Sequence, residues 1–190
     1  MKAAIQELMD EHTTILRMLA VLRGICANMN KGGQPDWADL ESALEFIVKF
    51  ADHNHHGKEE DILFPAMEKA GFPCDGGPVG VMLLEHRQGR EYVGAMRLAV
   101  AALKAGASGA AVDFKRAASG YEQLLTQHIF KENNMLYPMA MDALPAQDWE
   151  RMSEEFAKVE SERMGAKKRA DYEALLTRLE ALYALAELSK

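Results

Sequence analysis

The segment "HHGKEEDILFP", His55–Pro65, has a near copy in "HIFKENNMLYP", His128–Pro138. Laid over each other, the two share His55/His128, Lys58/Lys131, Glu59/Glu132, Leu63/Leu136 and Pro65/Pro138, and Phe64 falls on Tyr137. The repeated element is H-x3-E followed by an apolar turn and a proline. This alignment selects His55 and Glu59 as the working pair and leaves His56 and Glu60 as its neighbours. An α-helix advances ~1.5 Å per residue with ~3.6 residues per turn, so side chains four apart share a face. Each His–Glu pair can therefore address a common centre.

Outward from the repeat, each copy is preceded by an EH pair, Glu11-His12 in "MDEH" and Glu85-His86 in "LLEH". His12 lies 43 positions before His55, and His86 lies 42 before His128. Each half thus reads as helix with EH, loop, helix with HxxxE. The chain looks like two related helical hairpins about a pseudo-two-fold axis.

Helical phase tells which side chains turn inward. Counting back by threes and fours from His55 meets Ala51, Ile47 and Leu44, an apolar stripe, whereas the same count from His56 meets Asp52 and Lys49. From His128 it meets Leu124, Tyr121 and Ala117. His12 continues Leu8 and Ile5 and precedes Leu16 and Leu19, while His86 continues Met82 and precedes Val93. Four histidines (His12, His55, His86 and His128) and two glutamates (Glu59 and Glu132) are expected to meet in one apolar interior. A lone histidine on such a face is more often a hydrogen-bonded core residue, but six such residues in register within a repeat point to a shared ligand.

Buried carboxylates without partners are costly or neutralise. Two divalent cations held by neutral imidazoles and bridging carboxylates remove that penalty, and this donor set suits iron, manganese or zinc. His53 and His56 read as surface residues or as groups behind the ligands. Glu11, Glu60 and Glu85 read as ordinary exposed carboxylates, with orientation of ligand imidazoles as their alternative role.

The 190 residues are 48% hydrophobic and 27% charged, the balance of one soluble globular chain. A net charge of −7 argues against a nucleic-acid partner, and the dense basic run Lys167-Lys168-Arg169 reads as a solvated helix face. Cys26 and Cys74 have no metal or redox spacing, which fits a reducing compartment. The start "MKAAIQELMDEH" lacks a signal-peptide core, and no run of about 18 apolar residues occurs. A cytoplasmic protein that does not span a membrane is expected.

Apolar residues recur at helical spacing almost throughout. Helices are expected from about Ala3 to Asn30, from Asp36 as cap to the region of Pro65 and Lys69, to about Lys104 after the loop "AGFPCDGGPVG", and from about Val112 past Tyr137. The fold class is all-α: an up-down antiparallel four-helix bundle over 1–142, with a helical extension over 143–190, as one long helix or two shorter ones. In the extension Leu175, Leu176, Leu179, Leu182 and Leu185 form an apolar stripe that packs on the bundle or at a homodimer contact.

With these positions in place the chain resembles the hemerythrin-like family, the HHE cation-binding domain, over about 1–142. The resemblance rests on Glu11-His12, "HHGKEEDILFP", Glu85-His86 and "HIFKENNMLYP". It implies a non-heme di-iron centre, oxo- or hydroxo-bridged, in a four-helix bundle. His12, His55, His86 and His128 are then iron ligands, and Glu59 and Glu132 bridging carboxylates.

The implied function is to bind, sense or reduce dioxygen, peroxide or nitric oxide at an open iron position, and a di-iron oxidoreductase is within that range. The alternative is an iron-centre repair or nitric oxide reduction protein donating iron or electrons to a client. Oxygen-carrying hemerythrins have a second histidine where this chain has Arg90, and an aspartate where it has Glu132. One imidazole is therefore expected to be missing, leaving an extra open or water-filled position or a ligand from Tyr92 or Tyr121. That puts simple oxygen carriage in doubt and moves the chain towards the subgroup that repairs iron–sulfur clusters. Members of that subgroup carry an N-terminal cysteine-containing domain, not expected here because the motif begins at Glu11.

Overall fold

The computed structural model describes residues 2–34, 36–164 and 167–183, and these are helical with no strand among them. In chain order the helices are α1 (Ala3–Asn30), α2 (Trp37–Phe46), α3 (Phe64–Lys69), α4 (Gly77–Lys104), α5 (Ala110–Lys131), α6 (Tyr137–Ala143), α7 (Ala146–Arg163) and α8 (Arg169–Tyr183). Between α2 and α3 the coil widens into two π-helical stretches, π1 (Ile47–His56) and π2 (Glu59–Leu63). A third, π3 (Glu132–Leu136), joins α5 to α6.

The local chemistry agrees with these bounds. Asp36 caps α2, its carboxylate accepting from the Ala38 amide at 2.7 Å. Helix α4 ends on Gly106, whose φ of +72° few other residues adopt, and the Ala107 amide turns back to the Ala102 carbonyl at 3.0 Å. That helix begins earlier than the sequence suggests. Gly77–Gly80 form its first turn, because Pro78 suits a position where no amide is required. The prolines of the repeat explain two of the π stretches. A proline inside a helix removes one backbone donor and presses on the carbonyl four residues back, and a wider coil just before it eases that clash. Pro65 follows π2 and Pro138 follows π3, so the trailing "LFP" and "LYP" mark the same local distortion twice.

Two apolar clusters form the interior. One joins Ile15–Ile25 of α1 to Phe46, Phe50, Met96, Phe114 and α8; the other joins Ala4–Leu8 to Leu63–Met67, Val79, Leu136–Ala140 and α7. Each large apolar side chain they bury contributes roughly 1.5–3 kcal/mol. The HxxxE and EH residues lie between the clusters, so the site is a polar layer closed above and below by hydrocarbon. Leu16 does not join the stripe expected for it and is 39% exposed; α1 turns Ile15, Met18 and Leu19 inward instead.

The extension is two helices. Both α7 and α8 pack against α1, α7 also against π1 and π2, and α8 against α2. At Gly24 α1 and α8 come close, and an added Cβ there would lie 1.7 Å from the Tyr183 carbonyl oxygen. Arg17 grips Glu173 at 2.7 Å and Glu180 at 2.8 Å across the α1–α8 seam. The buried stripe of α8 is Tyr172, Leu176, Leu179 and Tyr183; Leu182 falls outside it and is 59% exposed. Leu185 and Pro35 lie outside the described residues. The basic run is not a free solvated face. Lys167 pairs with Glu45 at 2.7 Å, and Arg169 pairs with Glu11 at 2.7 Å and Glu160 at 2.6 Å. No described helix is long and apolar enough to cross a membrane.

Candidate metal centre

All six residues selected from the repeat are buried in the polar layer. Their donor atoms fall into two groups: His12, His55, Glu59 and Glu132, and His56, Glu59, His86 and His128, the atoms of each within 4.8 Å of one another. Glu59 belongs to both. Glu132 spans them too, its two oxygens standing 3.1 Å from His12 Nε2 and 3.2 Å from His128 Nε2.

One side of every imidazole is committed to an acceptor. The Nδ1–H of His55 donates to Glu11 at 2.9 Å, His128 to Glu85 at 2.9 Å, His86 to Glu60 at 2.7 Å and His12 to Asn133 at 2.8 Å. The His56 ring reaches Asp52 more loosely, at 3.4 Å. Such partners fix the tautomer and turn the Nε2 lone pair towards the centre. Glu11, Glu60 and Glu85 are therefore not idle exposed carboxylates, and Glu11 is fully buried.

This arrangement leaves bare acceptors facing one another. His12 Nε2 stands 2.9 Å from His55 Nε2, and His86 Nε2 stands 3.1 Å from His128 Nε2. Nitrogens bound at about 2.1 Å to one ion, at right angles, lie about 3 Å apart, so these spacings suit paired ligands. Five buried side-chain atoms among the described residues lack any hydrogen-bond partner, and four of them are His56 Nε2, Glu59 Oε2 and both oxygens of Glu132. Buried acceptors of this kind need protons or cations. The donor set fits a pair of metal ions.

Without cations, protons take up part of the strain. Burial, and then the facing Glu132 carboxylate, push the Glu59 carboxyl well above its usual range. Burial alone would lower His128, but Glu132 and Glu85 push it up to about 9. Burial and the neighbouring His12 bring His55 down to about 3. Burial lowers His56 and holds His86 well below its ordinary value.

His56 is what helical counting missed. It is 3% exposed and its ring stacks on His86 with centroids 3.8 Å apart. Counting at α-helical pitch sends it to the wet face, but π1 bonds each residue to the fifth one on. Each residue then turns through less than the α-helical angle, and the adjacent His55 and His56 both reach the interior. The closing proline accounts for π2 rather than π1, so the sequence carried no signal for this turn of His56. Five of the six histidines thus gather, and His53 stays exposed. Tyr137 was also missed. It is fully buried, donates its hydroxyl to Glu59 at 2.7 Å, and lies 3.4 Å from His12 Nε2.

Residues 3–140 match the family model of the hemerythrin HHE cation binding domain. The chain belongs to that hemerythrin family. "Uncharacterized protein Rv1995" of Mycobacterium tuberculosis is 25% identical over 160 residues, which is 84% of this chain and 62% of that protein. The "Iron-sulfur cluster repair protein YtfE" of Edwardsiella ictaluri is 35% identical over 92 residues, 46% of this chain and 41% of that one. The chain thus spans less than two thirds of the length of these curated relatives. No solved structure matches it.

One imidazole is expected to be missing at Arg90; His56 stands as a fifth imidazole among the buried donors. Tyr121 belongs to the apolar cluster below the site, and Tyr92 packs against that cluster beside Gly120. Arg90 instead clamps carboxylates behind two rings, pairing with Asp52 behind His56 at 2.7 Å and with Glu60 behind His86 at 2.8 Å.

Proposed function

We propose that this hemerythrin-family chain holds two iron ions and uses them to bind, sense or reduce a small oxidant: dioxygen, peroxide or nitric oxide. The observation that carries the reading is the set of inward, bare acceptors: paired Nε2 atoms about 3 Å apart and the orphaned oxygens of Glu59 and Glu132. His12 and His55 are assigned to one ion, and His56, His86 and His128 to the other, with Glu59 and Glu132 between them. Iron there would supply reversible one-electron chemistry and a coordination position for a small molecule.

The residues do the rest. The group with two imidazoles leaves more of its sphere to a small molecule, and the Tyr137 hydroxyl stands beside it as a hydrogen-bond donor. The apolar clusters on either side exclude bulk water. A cleft of about 200 Å³ between π1 and α4, lined by His56, Gly89, Val93 and Tyr121 among others, reaches the three-imidazole group from outside. The gathering of five imidazoles supports keeping reversible binding within this proposal. Manganese or zinc suit the same donors, and retention of either in place of iron counts against the proposal.

The up-down antiparallel bundle belongs to the same proposal, supported by the packing of α1 and α4 against both α5 and π1. Two unpaired cysteines are consistent with the cytoplasm. The test is to reduce the iron protein without air and add dioxygen, peroxide or nitric oxide separately. A visible or near-ultraviolet change saturating at one molecule per iron pair is expected, and no change with any of them refutes the reading. A second reading, delivery of iron or electrons to a damaged iron–sulfur client, is favoured by the match to the repair protein. Iron transfer to a client lacking its cluster supports it, and full retention of iron during that assay excludes it.

A further inference from the structure

The cluster Glu7, Glu11 and Glu160 has the spacing of a cation site, and side-chain cations fill it. Lys58 Nζ donates to Glu7 and Glu11 at 2.6 Å each and lies 3.4 Å from Glu160. Arg169 adds a second cation, with Nη2 at 2.7 Å from Glu11 and 2.6 Å from Glu160. Asn54 contributes a further hydrogen bond to Glu11 at 3.0 Å. Glu11 is the carboxylate that orients His55.

Arg169 and Glu160 belong to α8 and α7, beyond the 3–140 stretch that matches the family model. The corresponding carboxylate of the other half, Glu85, is 15% exposed and among the described residues pairs with His128 and Lys131 alone. No extension residue pairs with it among the described residues. A carboxylate held by two cations and two further donors cannot swing, so the His55 ring behind it cannot tilt.

We propose that the C-terminal extension is a working part of the metal centre: Arg169 and Glu160 are positioning residues that hold His55 on its ion through Glu11 and Lys58. This rests on the two-ion reading. Replacing a group behind a metal ligand costs about 10–100-fold in affinity. The comparison needed is between two breaks in the same extension. Arg169→Met cuts the link to His55. Arg17→Met cuts a similar clip to Glu173 and Glu180 that touches no ligand.

Both variants and the wild-type chain are loaded with iron(II) without air, and loss to a ferrous chelator is followed as two kinetic phases, with circular dichroism confirming the fold. Arg169→Met is expected to speed one phase about tenfold and leave the other unchanged. Glu160→Gln should do so less strongly, Arg169→Lys should recover most of the wild-type rate, and Arg17→Met should change neither phase. Equal effects of Arg169→Met and Arg17→Met, or none from Arg169→Met, overturn the proposal while the two-ion reading stands. A wild-type chain that takes up fewer than two ions removes both.

Discussion

Lys58 and Lys131 hold the same place in the repeat, yet the Lys58 side chain is fully buried and that of Lys131 is 32% exposed. Each pairs with the carboxylate behind a histidine, Glu11 in one half and Glu85 in the other. The difference lies in what covers them. Helix α7 lies over π1 and π2, placing Phe156 and Glu160 beside Lys58. Among the described residues the other half has no such cover.

The contrast continues inside the site. His56 faces the centre where the other half has the apolar Ile129. Glu60 holds His86, whereas its counterpart Asn133 holds His12. Phe64 stacks on His86, whereas Tyr137 stacks on His12 and brings a hydroxyl. Even the matched rings His55 and His128 differ, one brought down to about 3 and the other pushed up to about 9. A duplicated motif thus gives two inequivalent positions, with two imidazoles at one and three at the other.

The largest break comes from removing what the halves share. Glu59→Ala with Glu132→Ala should abolish binding of both ions, read by metal analysis. The metal-free double variant should stay folded but melt lower than the metal-free wild type, because His128 loses the carboxylate that raises it and two cavities are left. Collapse of the fold would show that the pair is structural.

Making the halves alike should have the next effect. His56→Ile, copying Ile129, is expected to cost one ion selectively or weaken it about 10–100-fold, the scale for disturbing a ligand sphere. His53→Ala should leave metal content unchanged. Equal loss from both would contradict the role given to His56.

Lys58→Met and Lys131→Met compare the covers directly. The first leaves buried carboxylates short of a donor and should cost about 1–3 kcal/mol in urea unfolding. The second removes a partly exposed pair and should cost less than about 1 kcal/mol.

The smallest effect is a titration. In the metal-free protein His128 should keep its proton until pH approaches about 9, while His55 stays neutral down to acid pH, as read from imidazole resonances. The signs differ. The raised His128 contributes stability that is present below the unfolded value of ~6.5 and lost as pH rises through about 9. The lowered His55 contributes stability present above ~6.5 and lost as pH falls towards about 3. Metal binding should silence both titrations.

Much of this was legible because the repeat states it twice. One HxxxE means little, but Glu59 and Glu132 at matched places fix the phase of two helices, and His12 and His86 fix the others. Helix ends were readable where a single residue enforces them, as with Asp36 or Gly106. His56 was not, because its inward turn depends on π1, and a count at 3.6 residues per turn erases that distinction. The role of Lys167–Arg169 was hidden as well. A basic run looks solvated until tertiary packing sets Arg169 against Glu11, more than 150 positions away in sequence.

Metal analysis of the chain purified without added metal, together with its spectrum in air, tests the central claim most directly. Two iron ions per chain with near-ultraviolet absorption from a bridged iron pair are expected. A colourless protein carrying zinc, or a single ion per chain that His56→Ile does not affect, would contradict the account.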